Sequence, residues 1–512
     1  MEHPIPGIGK GGWKKLSVLF FALLLLLGLT TYTDYGTHWD QRNNRRFGTA
    51  VYNLIMEGEY DPFLDQSHCM IHGPLFELTL AAAEKSAGVE DTRDVTYLRH
   101  LLTFMSYWTG ILFFYILCNY HFKSPKIALA GSLFIVLTPR IFAHGFYNSV
   151  DIPTMTMFTA CAYTMLRFLD ERDIKWALTH SVSSAVLIGI RNFGAAIPVL
   201  TLALTLAYGK SGRKAGVAYA VMTLLLAYMF WPMIWDDPVG GFVSSFASAK
   251  DLFYPFTYLY FGETIRDAMP PWHYTPAWML ITTPPLYIIL FTAGLGAAAR
   301  HLTERGWSRE KRNTLVFLLW LIIPLASTMI FKVTLYNGWR HHYLVYPAFM
   351  MISMEGLRQV KVWADGRRGR SAAVALLITA SSLCTAYTMA ANHPYEMAYF
   401  NFAAGLFGET QDSFPLDYWG LSYRESYERI LELDGRDRIR VRTFRWVGEY
   451  GVDSLPPEDR KRIDTTTTEE GDYYAFNDIR GYDGGELVCS VDTWWGTMGY
   501  VHRKEAAGAH PE

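Results

Sequence analysis

The chain has 512 residues, a formal net charge of -2 and 51% hydrophobic residues. The apolar residues gather in long blocks, which argues an all-α polytopic membrane protein and excludes a simple water-soluble domain. The near-neutral charge gives no sign of a nucleic-acid partner, and none is expected; five Cys without metal or disulfide spacing indicate neither a zinc site nor a disulfide framework.

Lys10, Lys14 and Lys15 precede an apolar run from Leu16 to Leu29, so the N-terminal end is expected in the cytoplasm. Trp13 to about Thr31 crosses once and, with no cleavage signal before it, stays as an anchor. Residues 34–99 form a first outer loop. Phe47, Val51, Leu54 and Ile55 recur there at helical spacing behind Asn43, Asn44, Arg45 and Arg46, the pattern of an interfacial helix. Pro74 to Ala87, interrupted by Glu77, Glu84 and Lys85, reads as a second one.

Further spans are expected over His100–Tyr120, Ile127–Phe142, Ile152–Leu169, Trp176–Ile190, Phe193–Tyr208, Gly216–Trp235, Pro276–Ala299, Thr314–Val333, Tyr343–Gly356 and Ala372–Met389. With the first, that makes about eleven transmembrane helices. Lys123, Lys126, Lys210, Arg213, Lys214, Arg305–Arg312 and Lys361–Arg370 then fall inside, and Asp40, Asp61, Asp65, Asp151, Asp236, Asp237 and Asp267 outside. The transmembrane module is residues 1–391. The odd count leaves residues 392–512 outside the cytoplasm as a small α/β domain. It is expected to hold a helix over Ser422–Leu433, an alternating strand over Arg438–Trp446, a polar turn over Thr465–Glu470 and a disordered end from Lys504. Cys69 and Cys489 fall on one side, which leaves a bridge between them open.

Four polar groups converge on the outer face: His38-Trp39-Asp40-Gln41, the stretch around His72, the segment Pro139–Pro153 with Arg140, His144, Tyr147, Asn148 and Asp151, and Tyr336–Tyr343 with Trp339, Arg340 and His341. Each has a plain structural reading. Trp39 fits an interfacial anchor, Asp151 a helix cap and Arg340 a partner for lipid phosphate. Together, carboxylates and cations at one membrane edge fit transfer from a phosphorylated lipid. An aspartate takes the proton of an acceptor hydroxyl, and arginine matches the oxygens of a leaving phosphate. Arg191, at a short outer turn, is a second phosphate candidate, with structural packing as its equal alternative. Trp272, His273 and Tyr274 could stack on sugar, although such residues more often anchor the membrane edge.

These motifs resemble the GT-C glycosyltransferases that use polyprenyl-phosphate sugars, such as the protein O-mannosyltransferases and the lipid A aminoarabinose transferases. Asp40 matches the first of their acidic pair, and Gln41 stands where the second is usually Glu. His72-Gly73-Pro74-Leu75 resembles their Lys/His-Pro-Pro-Leu element, with Gly for one Pro. Arg99 matches the Arg that opens the second span, Asp151 the acid of the second outer loop, and Gly338-Trp339-Arg340-His341 their late outer-edge element. His393-Pro-Tyr395, Tyr399-Phe-Asn401 and Asp417-Tyr-Trp-Gly420 resemble tail motifs of bacterial members, with no chemistry assigned to them.

The resemblance implies an inverting glycosyl transfer, hexosyl or pentosyl, on the outer side of a bacterial inner membrane. Asp40 would be the base and Asp151 a helper; His72, Arg340 and Arg191 would bind the donor phosphate. His38, Trp39, Gln41, Tyr147, Asn148, Trp339 and His341 would line the substrate site. The partners are a polyprenyl-phosphate-sugar donor, a lipid, protein or glycan acceptor, and membrane lipids. No cofactor is required, while a divalent metal held by Asp40, Asp151 and His38 stays open. The alternative is a transporter or flippase, which would show internal repeats and charges near the bilayer middle; no repeat is evident.

Overall fold

The computed structural model describes residues 10–207, 212–251, 257–266, 270–331, 333, 335, 338–477 and 484–504. Lys210, Asp267, Tyr336, Asn337 and the expected disordered end beyond Lys504 lie outside them.

The first apolar run forms α1 (Lys10–Thr31), whose Leu19, Leu23 and Leu26 remain exposed. A polar turn leads into α2 (Gln41–Met56). α3 (Leu75–Ala87) packs on it so closely that a Cβ on Gly48 would lie 2.3 Å from the Glu77 carbonyl oxygen. Both first-loop helices form where the periodicity places them. α4 (Thr92–Phe122) starts eight residues before His100, because the Asp91 side chain caps it by accepting from the Arg93 N–H.

Two expected continuous helices are broken. The segment around Ile127–Phe142 divides into α5 (Pro125–Val136) and α6 (Pro139–Tyr147), bent by 72°. Pro139 lacks an N–H and disfavours helix at the residue before it, so the break falls at Leu137-Thr138. The polar Arg140, His144 and Tyr147 of α6 thereby turn inward and are buried.

α7 (Asp151–Glu171) is buried along almost its whole length, and α8 (Ile174–Ile190) returns beside it to end at Arg191. α9 (Ala196–Ala207), α10 (Arg213–Met229) and α11 (Pro238–Asp251) follow, then the hairpin of β1 (Thr257–Tyr260) and β2 (Glu263–Arg266). The second break separates α12 (Tyr274–Thr282) from α13 (Pro285–Thr303) at Pro284-Pro285. Asn401 clamps it through its amide to the carbonyls of Leu280 and Thr283, each at 2.7 Å. α14 (Arg309–Ile330), α15 (Tyr346–Ala364) and α16 (Arg368–Ala391) complete the apolar part.

Five described helices are long and apolar enough to cross a membrane, and six if the bent pair is one span. The other expected crossings are shorter or more polar, as befits helices such as α7 that face protein rather than lipid. Exposed Leu, Val and Ile on α1, α9, α10, α13, α14 and α16 give the bundle an apolar outer surface, the mark of an integral membrane protein.

After α16 the chain packs residues 395–421 into the main core. α17 (Ser422–Leu433) then lays Tyr423, Tyr427 and Ile430 on a mixed sheet of order β4-β3-β5-β7-β6. Its strands are β3 (Ile439–Thr443), β4 (Ile463–Thr466), β5 (Tyr473–Phe476), β6 (Glu486–Thr493) and β7 (Gly496–Arg503). The β3 pairings with β4 and β5 are parallel, and the other two antiparallel. The expected turn at Thr465 begins later, because β4 runs to Thr466. Cys69 and Cys489 are free thiols, so no bridge joins them.

Candidate active site

Four chain segments far apart in sequence meet at one point. Asp40 ends the turn before α2 and is half-buried. Asp151 opens α7 and is buried. It is no cap: the Asn148 side-chain oxygen accepts from the backbone N–H groups of Val150 and Asp151, at 3.3 and 2.9 Å, and takes that part. The carboxylate is left for other contacts. One oxygen accepts from Arg191 Nη1 at 2.9 Å, the other from Asn148 Nδ2 at 3.0 Å and from Arg340 Nη1 at 3.3 Å. The second Arg340 amino group, Nη2, lies 3.3 Å from Asp40. Arg340 therefore bridges the two aspartates, and two cations face two carboxylates in a closed charge balance.

Arg340 is delivered by a tight turn. Gly338 has φ +71°, a conformation suited to glycine. The guanidinium lies over the Trp419 ring, 4.7 Å from its centre. Trp339 points away from it, donating its indole N–H to Thr282 at 2.9 Å and packing edge-on against Tyr343. His341 follows Arg340 in the same turn and is half-buried.

His72 reaches the site through its backbone, forming an isolated antiparallel bridge with Arg191. Gly73 makes this approach possible. Its N–H donates to Ile190, and a Cβ there would lie 2.2 Å from the Gly189 carbonyl oxygen. That contact calls for a residue without a Cβ at position 73.

His38 is buried between Trp419 and Tyr147, with ring centres 4.8 and 5.9 Å away. Its Nδ1 accepts from the Asp40 backbone N–H at 3.3 Å, which places the ring proton on Nε2. Burial holds its pKa well below the ordinary histidine value. Asp40 moves the other way. Burial raises its pKa, Arg340 pulls it down, and Asp151 adds to the rise. Asn148 also reaches His144, at 3.0 Å, and His144 reaches Tyr418, at 3.2 Å.

The remaining expected residues sit at the margin. Trp39 packs on Trp446 of the tail domain and donates its backbone N–H to Trp419, so it docks the tail. Gln41 is buried and donates to Thr96 at 2.6 Å. Arg99 is absorbed by a buried pair with Glu77 and Glu84, and Glu77 in turn accepts from Ser149. Asp34 binds His393, away from Arg340.

Trp419, Tyr418 and His144 are site residues to which the sequence reading gave no role. The Asp417-Tyr-Trp-Gly420 motif was their only signal for the first two. Asp417 accepts from the N–H groups of Gly420, Leu421 and Ser422, a turn that presents Trp419 beneath Arg340.

The residues expected to hold a divalent ion have other partners in this structure. Among the described residues no three His, Cys, Asp or Glu side chains come together as a metal cage. Both aspartates face guanidinium groups, and His38 spends Nδ1 on the backbone.

No family model and no curated protein sequence matches the chain. Solved structures do. The structure of ArnT from Cupriavidus metallidurans bound to undecaprenyl phosphate matches with a TM-score of 0.52 at 12% identity, over 98% of this chain and 100% of that one. The apo oligosaccharyltransferase of Archaeoglobus fulgidus matches at 0.50 and 13% identity, over 86% of this chain and 64% of that one. The same archaeal enzyme in complex with Zn and sulfate gives 0.50 at 12% identity, over 86% and 61%. These likenesses concern architecture: the chain has the fold of the GT-C glycosyltransferases.

Proposed function

We propose that this protein is an inverting glycosyltransferase that moves a hexosyl or pentosyl group from a polyprenyl-phosphate donor to an acceptor hydroxyl. The observation that carries this reading is the Arg340 bridge between Asp40 and Asp151, with Arg191 beside it. A base and two phosphate-matched cations are thus held within one charge cluster. The GT-C fold supports it, and so does the binding of undecaprenyl phosphate by the ArnT neighbour.

In the proposed step the acceptor hydroxyl oxygen bonds to the sugar's anomeric carbon while the bond from that carbon to the phosphate oxygen breaks. The hydroxyl proton goes to Asp40. Attack opposite the leaving group inverts the carbon. The phosphate leaves as an anion against Arg340 and Arg191, with His72 adjoining, and needs no general acid. Asp151 holds both arginines in place through its two oxygens. In the resting site the two aspartates compensate the two arginines, so the arriving phosphate competes with them for the guanidinium groups and loosens Asp40 for its proton. General-base help of this kind is worth about 10²- to 10⁴-fold. The membrane is the bacterial inner membrane, crossed about eleven times. The N-terminus is cytoplasmic; the site and the domain 392–512 face outward.

The test is donor consumption by the purified protein in lipid nanodiscs, across a panel of polyprenyl-phosphate sugars. One donor should be consumed, with free polyprenyl phosphate released in step with product. Movement of a lipid-linked sugar across proteoliposomes without cleavage would instead support a flippase.

A further inference from the structure

A cleft of about 960 Å³ opens beside Gln41, the residue after the proposed base. It lies between α2 and α3 and is closed on one side by Asp453 of the tail domain. Its volume is at the upper end of the ~300–1,000 Å³ of small-ligand sites, so it can hold more than one sugar ring.

The wall is built of ion pairs. Arg42 binds Asp453 at 2.7 and 2.9 Å, Arg45 binds Glu84 at 2.9 Å, and Arg46 binds Asp61 at 3.2 Å. Four cationic and five carboxylate side chains line the cleft in all. An anionic ligand therefore meets no net positive field there.

Three polar oxygens are left over. Gln41 Oε1, Asn53 Oδ1 and Thr92 Oγ1 are buried without a hydrogen-bond partner, and all three residues line the cleft. The Gln41 orientation is fixed by its neighbours. Thr96 gives its hydroxyl proton to the Thr92 carbonyl at 2.8 Å, so its oxygen must accept, and the Gln41 amide nitrogen donates to it at 2.6 Å. The Gln41 oxygen is left for a ligand. The amide oxygens of Gln41 and Asn53 only accept, and the Thr92 hydroxyl accepts or donates; sugar hydroxyls can meet all three.

We infer that this cleft is the acceptor site and that it takes an uncharged, polyhydroxylated glycan, not a phosphorylated or otherwise anionic acceptor. The inference rests on the transferase reading and deepens it. The amide of Gln41, where the resemblance expects Glu, offers an acceptor oxygen beside Asp40 without a second negative charge. Sugar hydroxyls partner these three oxygens, and the ion pairs take hydroxyl contacts without losing their partners.

The experiment uses the full chain in nanodiscs and saturation-transfer NMR. The probes are neutral tetrasaccharides of glucose, mannose, galactose and N-acetylglucosamine, with glucose 6-phosphate as the anionic probe. Undecaprenyl phosphate binding is measured on every sample as a control for folding and for the donor site. Thr49→Trp fills the cleft from α2. At least one neutral tetrasaccharide should bind, insensitive to salt, and weaken at least tenfold in Thr49→Trp while undecaprenyl phosphate binding persists. The same glycan on a lipid anchor, bound more tightly and equally lost in Thr49→Trp, would mark a glycolipid headgroup as its source; equal affinity marks a free glycan. Binding of undecaprenyl phosphate without any tetrasaccharide, tetrasaccharide binding that survives Thr49→Trp, or tighter salt-sensitive binding of glucose 6-phosphate would each overturn the acceptor assignment and leave the transferase reading standing. Failure of the native chain to bind undecaprenyl phosphate would overturn both.

Discussion

Arg340 touches both aspartates of the candidate site, and the two contacts have different consequences. Toward Asp151 it is one of several partners for a buried carboxylate. Toward Asp40 it is the charge that restrains a raised pKa. A base works only when deprotonated, so activity should rise with pH through an inflection above the ordinary aspartate value. Arg340→Gln removes the restraining charge, and the inflection should move further up, alongside weaker donor binding. The pH profile of turnover, native against variant, checks this; an unmoved inflection would show that Asp40 does not set it.

Several of these residues were legible before the structure. Asp40, Asp151, Arg191, Arg340 and His72 are polar groups at expected membrane edges, where burial is costly and needs a reason. Trp419 was not, because an aromatic in a tail motif carries no such signal. Nor was the docking role of Trp39, since a Trp near a membrane edge reads as an anchor until its Trp446 partner is seen.

At the scale of elements, the segment between α1 and α4 is held by one buried network. Arg99 of α4 pairs with Glu77 and Glu84 of α3, and Glu77 accepts from Ser149 just before Asp151. Arg99→Ala leaves buried Glu77 without a cation and Glu84 with Arg45 alone, a loss of about 3–5 kcal/mol. Thermal unfolding in detergent should show a clear drop in Tm, and the drop should exceed that of Arg42→Ala, whose ion pair is more exposed. Equal effects would mean that the network is not what holds the loop. The helical periodicity of α2 and the short apolar stretch of α3 were readable. Their mutual packing was not, because Gly48 and Gly73 carry no pattern until the backbone oxygens beside them are known. The breaks at Pro139 and at Pro284-Pro285 were written in the prolines, but apolar runs on both sides masked them.

Across the whole molecule, the tail is latched to the segment between α1 and α4. Arg42–Asp453 and Arg460–Asp91 join the two, and Arg424 donates to the Thr33 carbonyl. His393, just past α16, sits between Asp34 at 2.9 Å and Glu396 at 2.6 Å. Burial opposes its charge, but the two carboxylates outweigh it and push its pKa up to about 9. Its contribution to stability is therefore complete below the ordinary histidine value and is lost as pH rises through about 9. Hydrogen exchange in residues 392–421 should quicken between neutral pH and that value, beyond the intrinsic pH effect, and His393→Asn should abolish the extra step. No difference between native and variant would remove His393 from the latch. The odd span count led to the expectation of a tail outside the cytoplasm. Which surface it would cover was not readable, since the latch joins residues more than 300 positions apart.

The central claim is that Asp40 takes the acceptor's proton. The measurement is turnover of the preferred polyprenyl-phosphate sugar by native protein and Asp40→Asn in nanodiscs, with donor affinity measured on the same samples. The account predicts a fall in turnover of about 10²-fold or more with donor binding kept. Native-like turnover in Asp40→Asn would contradict it.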